Sequence, residues 1–171
     1  CALCIPPQQG TTDRVPGQFP EWLDGDTGER RGMEMGPSLP PVLLWLALEG
    51  LAGLQPQPDG LAVAPSMPEG WRWLVCERIP WRGGLVTLIY WNGALHSDQP
   101  VQSALPIRLY DRIERAGREE PAFALRGDGR TWVFAFAPGD GWEGRIRVDD
   151  RRVPIALGPG EAQLIPLEDS D

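Results

Sequence analysis

The sequence predicts a mainly β protein, an antiparallel β-sandwich preceded by one apolar helix. Three observations carry this. From Leu61 onward, short runs rich in Trp, Val, Ile and Phe alternate with turns of Gly, Pro and Asp, as paired strands do. Gly127-Asp128-Gly129 and Asp149-Asp150 each separate two such runs, a spacing that favours hairpins. Ahead of them stands one stretch, Val42 to Leu54, that reads as a helix and whose leucines do not confine themselves to one stripe.

The elements follow in order. Residues 1–37 read as loop, rich in Pro and Gly with little periodicity. Ser38 can cap a helix, and Pro40 and Pro41 fit a first turn, where a missing N–H costs nothing. Val42 to Leu54 is then the helix, ended by Gly53 and Pro56. It is apolar nearly all round, so it needs cover on most sides. "LAVAP" (Leu61 to Pro65) is a short strand; "WRWLVCERI" and "GLVTLIYW" are two longer ones. Residues 92–104 read as a loop between two β groups. "AFALR" and "RTWVFAFA" form a hairpin with Trp132, Phe134 and Phe136 on one face. "GRIRV" and "RVPIAL" form another, and "GPG" turns into the last strand, "AQLIPL". Arg126-Gly127-Asp128 spells an adhesion tripeptide, but a tight turn wants Gly and Asp there in any case.

With 171 residues the chain is long enough for one domain or two small halves. It carries a net charge of -8 and a pI near 4.7. Such a field repels phosphates, which argues against nucleic acid and against an acidic membrane surface as partners. A neutral ligand such as a sugar is compatible with it. Every basic residue is Arg. "VLLWLALEGLAGL" falls short of the roughly 20 residues of a membrane span and is interrupted by Glu49. No targeting segment is visible, which leans the expectation toward the cytoplasm and leaves the location open. Cys1 and Cys4 form a C-x-x-C pair, with Cys76 far away and one histidine, His96. That set is poor for a structural zinc site, which wants four ligands, and Pro6 and Pro7 disfavour a redox helix. No metal and no cofactor are expected.

The densest chemistry is in "FPEWLDGDTGE", Phe19 to Glu29. Three readings stay open. It can be a plain polar turn; it can bind calcium through Asp24, Asp26 and Glu29, though it lacks the spacing of an EF-hand loop; or a carboxylate can act in catalysis. The tryptophans raise a different class of function. Trp71, Trp73, Trp81, Trp91, Trp132 and Trp142 would form a sugar-binding platform if coplanar and exposed. Their alternation favours a core role, with Trp142, at a loop between Gly141 and Glu143, the best exposed candidate.

The order of segments carries a resemblance. P-E-W-x-D-x-x-T-G is followed by an apolar helix, then "LAVAPSMPEGW" (Leu61 to Trp71), then "WRGG" (Trp81 to Gly84). Over about residues 17–91 this resembles the C-terminal end of the six-hairpin (α/α)6-barrel glycosidases. That superfamily includes glucoamylases, trehalases, processing glucosidases, the glucosidase part of debranching enzymes and rhamnosidases. The resemblance implies that residues 1–58 are the catalytic loop and last helix of an incomplete (α/α)6 barrel, and that residues 59–171 are a C-terminal β-sandwich. The chain would be a fragment that packs against the missing N-terminal part of the barrel and is inactive alone. The carried-over general base is Glu21, with the acid upstream; Trp22, where the family often has Gln, and Asp24 would contact a carbohydrate substrate. The alternative is a non-catalytic β-sandwich that binds carbohydrate or a protein partner.

Overall fold

The computed structural model describes residues 19–23, 26, 30–35, 44–117, 120–137 and 139–167. They form a mainly β structure whose sheets are almost wholly antiparallel. Two four-stranded sheets make its centre. The first holds β5 (Trp73–Trp81), β6 (Gly84–Trp91), β7 (Ala94–Ser97) and β8 (Ile107–Leu109), in that order. The second runs β14 (Ala162–Leu167), β11 (Arg130–Phe136), β10 (Ala122–Gly127), β9 (Arg112–Arg115).

Strand alternation explains how these sheets stack. One face of the first sheet offers Trp73, Val75, Ile89 and Trp91; the facing side of the second offers Phe123, Leu125, Trp132, Phe134 and Phe136. Together with Tyr110 and Ile113 they make the central core. The opposite faces are covered as well. Leu74, Cys76, Val86, Leu88 and Leu95 pack against a hairpin of β3 (Leu54–Gln57) and β4 (Gly60–Val63) and against Ala52 and Leu48. Ala122, Ala124, Val133 and Ala135 pack against a hairpin of β12 (Trp142–Val148) and β13 (Arg151–Leu157), through Ile146, Val148 and Ile155. Strands covered on both faces lose their polar alternation. That is why β10 reads "AFAL" and β11 ends in "VFAF", buried without a break.

The turns follow the local chemistry. Asp128 and Gly129 both take positive φ, 52° and 71°, the geometry that matches the twist of a two-residue hairpin. Arg82 and Gly83 do the same between β5 and β6, at φ 45° and 79°. Arg82 also reaches across to the β3–β4 turn, where Nη2 donates to the carbonyl oxygens of Gln57 at 3.0 Å and of Pro58. Its guanidinium lies 5.2 Å from the centre of the Trp81 ring. The "WRGG" segment therefore ties two hairpin turns together.

Four expectations are corrected. The helix does not run to Leu54. Gly53 adopts φ +64° and stops it, and Leu54 pairs with Val63 in β3–β4. Among the described residues the helix comprises Leu44, Trp45 and a π-helical segment, Leu46–Leu51, closed by the Ala52 N–H bond to the Ala47 carbonyl at 2.9 Å. Nor is the helix covered on most sides, for Leu44, Trp45 and Leu46 are 46%, 56% and 52% exposed. Within 92–104, Ala94–Ser97 is the strand β7, held by β6 on one side and by a parallel pairing with β8 on the other. Within 1–37, β1 (Phe19–Leu23) and β2 (Arg30–Met35) pair as an antiparallel hairpin. Ser38, Pro40, Pro41, Cys1 and Cys4 lie outside the described residues.

The β3–β4 hairpin straddles the expected boundary at 58/59, and Ala52 and Leu54 share a core with Leu61 and Val63. No helix among the described residues is long and apolar enough to cross a membrane.

Candidate functional site

Of the residues singled out in "FPEWLDGDTGE", Glu21 and Trp22 fall on β1, which pairs with β2. Trp22 is paired with Arg31 and Pro20 with Glu34, so the register slips at Glu21. An irregularity of this kind bends a strand locally. Asp24 and Glu29 lie outside the described residues; Asp26 is exposed. Among the described residues no group of three or more His, Cys, Asp or Glu is placed to hold a metal ion.

The helical segment that follows β2 in sequence divides its apolar side chains. Ala47 is buried, and Leu48 and Ala52 pack on the outer core of the first sheet. Leu44, Trp45 and Leu46 are the ones left open. The later part of the segment is therefore docked on the β structure, and its first described residues are exposed.

The tryptophans sort differently from the sequence expectation. Trp73 lies against Phe136 with ring centres 4.6 Å apart, and Trp91 meets Phe134 edge-on at 6.0 Å. Trp132 meets Tyr110 edge-on at 5.5 Å. These are core residues, as their alternation implied. Trp142 is not the exposed one. It is half-buried and packs on the core beneath the β12–β13 hairpin, because that hairpin folds back over the second sheet. Trp71 is the open ring, 48% exposed, and among the described residues no ring stacks on it. It precedes β5, just after Gly70 at φ +83°, so the strand pleat does not turn it into the core. The glycine before "WRW" was the available signal.

Trp71 stands on the rim of a cleft of about 630 Å³. The cleft forms where one end of the first sheet meets β13 and β14. Its walls include Arg72 beside Trp71, Tyr90 at the end of β6, Asn92 in the β6–β7 turn, and Glu161 and Gln163 around the start of β14. Arg72, Asn92, Glu161 and Gln163 are all exposed. Glu161 is positioned by its own turn, since Oε2 accepts the Gly158 N–H at 2.9 Å. Trp73 Nε1 donates to the Gly160 carbonyl at 3.2 Å and binds this turn to the first sheet.

His96, considered from sequence only as a poor metal ligand, is a core residue. It is 1% exposed, its Nδ1 is hydrogen-bonded to the Tyr110 hydroxyl at 2.9 Å, and the two rings stack at 5.7 Å. Burial first, and the Arg108 charge second, lower its pKa to about 4, so the ring is neutral near pH 7. Cys76 is buried too, and burial raises its thiol pKa to about 11, which removes it from nucleophilic chemistry. Arg126 of the adhesion-like tripeptide is engaged by Asp149 at 2.9 and 3.0 Å and by Glu114 at 3.2 Å.

No family model, curated protein or solved structure matches this chain.

Proposed function

We propose that the chain is the C-terminal part of an inverting glycoside hydrolase that acts on an oligosaccharide or glycoside, with Glu21 as its general base. The ordered motifs from Pro20 to Gly84 support this reading. The structural observation that supports it is a run of exposed apolar side chains at the start of the described helical segment. Leu44, Trp45 and Leu46 are each about half exposed, on the element that follows the Glu21 hairpin in chain order. Contiguous large apolar side chains of this kind mark a contact surface. Leu48 and Ala52 already pack on the β layers, and in the resemblance the body that covers the exposed residues is helical.

The chemistry assigns the roles. In inverting hydrolysis an ionised carboxylate takes a proton from water as the water attacks the anomeric carbon, and a second carboxyl protonates the departing oxygen on the opposite face of the ring. The two groups stand roughly 6.5–9.5 Å apart to admit the water. Glu21 is the base, and the helical body supplies the acid. Trp22 offers an apolar face to the pyranose ring, and Asp24 bonds sugar hydroxyls or orients Glu21. An acidic loop at the water site repels phosphate, which favours hydrolysis over phosphorolysis. The β-sandwich braces the barrel.

The test is Glu21→Gln in the protein that carries both this chain and the helical body. Loss of a general base lowers kcat by about 10²–10⁴-fold. Azide, a nucleophile that needs no deprotonation, restores turnover and yields a glycosyl azide of inverted configuration. Turnover of Glu21→Gln within about twofold of the parent removes Glu21 from the mechanism.

A further inference from the structure

We propose that the cleft at the junction of the first sheet with β13 and β14 is a binding site for neutral oligosaccharides, separate from Glu21 and without a catalytic role. Four features point there. The cleft holds about 630 Å³, inside the ~300–1,000 Å³ range of small-molecule sites. It pairs an apolar plane with polar groups, which is what a pyranose requires, since the ring has C–H faces and a girdle of hydroxyls. Trp71 supplies the plane; with 48% of its surface open and no ring on it among the described residues, a face is available for stacking. Asn92 and Gln163 supply donors and acceptors around it.

The geometry of these groups is held by the fold. Asn92 sits at φ 49° with Gly93 at 75°, a tight turn that projects outward from the end of β6. Gln163 lies opposite Ala135 on β14, which is an edge strand of its sheet. The Trp73 bond to Gly160 holds the β13–β14 turn against the first sheet, and so sets the width of the cleft. Trp91, which also lines it, is anchored in the core by Phe134 and forms a firm floor.

Charge selects the ligand. The cleft carries one cation, Arg72, and one carboxylate, Glu161, so its formal charges cancel. The chain as a whole is at -8 and repels anionic glycans. A neutral saccharide is favoured over a uronic acid polymer or a sugar phosphate.

The experiment titrates the purified chain with maltohexaose, cellohexaose and xylohexaose, following tryptophan fluorescence and affinity electrophoresis. Polygalacturonate serves as the charged comparison. Saturable binding of at least one neutral probe is expected. Trp71→Ala should weaken it by about tenfold or more, the equivalent of ~1.4 kcal/mol, with far-UV circular dichroism unchanged. Gln163→Ala, at an exposed edge position, should weaken it by about threefold and decides the matter if Trp71→Ala does not fold. Absence of binding by all three neutral probes, equal binding by the Trp71 and Gln163 variants, or preference for polygalacturonate overturns the proposal.

Discussion

Protonation of His96 should cost the fold several kcal/mol, and the cost can be worked from its surroundings. His96 is 1% exposed, lies between Trp91 and Tyr110, and bonds Tyr110 through Nδ1. Its pKa falls from the ordinary 6.5 to about 4 in the folded chain. Between those values the unfolded chain binds a proton there that the folded chain does not. Stability from this residue is therefore complete above pH 6.5, declines as pH falls, and is lost below about pH 4. At ~1.4 kcal/mol per pH unit the whole interval is worth roughly 3 kcal/mol. Asp98 works in the opposite sense, because burial raises its carboxyl pKa and the folded chain holds that proton to higher pH. A comparison is thus needed rather than a single curve. Urea unfolding of the parent and of His96→Gln should be measured at pH 7.5, 5.5 and 4, at low protein concentration because the pI near 4.7 falls inside the window. Gln keeps a polar partner for Tyr110 and does not titrate. The difference in unfolding free energy, parent minus variant, should shrink by roughly 3 kcal/mol from pH 7.5 to 4. A difference that stays constant within about 0.5 kcal/mol would refute the reasoning, whatever its value at pH 7.5.

Two further outcomes test the packing. Gly53 at φ +64° has a neighbour, for a Cβ there would overlap the Ala64 carbonyl, whereas Gly83 at φ +79° faces open space. Gly53→Ala should cost about 2–4 kcal/mol, backbone strain plus clash, and Gly83→Ala only the strain of about 1–2 kcal/mol; equal losses by urea unfolding would contradict this. Cys76, 4% exposed with a thiol pKa of about 11, should resist a maleimide at pH 7.5 and react on unfolding. Peptide mapping showing native Cys76 labelled within minutes would count against its burial.

Local chemistry made much of the β structure legible. The Asp128-Gly129 turn, the hairpin over Asp149 and the last strand from Ala162 to Leu167 all follow from turn residues and a two-residue period, because hairpins are built from neighbours in sequence. β7 escaped notice because it is four residues long and owes its place to β6 and to the parallel strand β8, which no local pattern records. The helix was overextended because Leu51 to Leu54 is apolar enough for either state. Pairing of Leu54 with Val63 and the backbone of Gly53 settled it as strand.

The candidate sites divide along the same line. Glu21, Trp22 and Asp24 were found by motif alone, since a contiguous loop carries its own signature. The cleft was not, because its walls come from residues 71–93 and 156–163, brought together only by the stacking of sheets. By itself the sequence determined a mainly β chain, the hairpin turns at Asp128-Gly129 and Asp149-Asp150, and the apolar parity of the longer strands. Only the tertiary structure decided that Trp142 is covered and Trp71 is open, that His96 is buried against Tyr110, and that Leu44, Trp45 and Leu46 stay bare. Parity tells which side chains share a face, but what covers that face is set by segments distant in sequence.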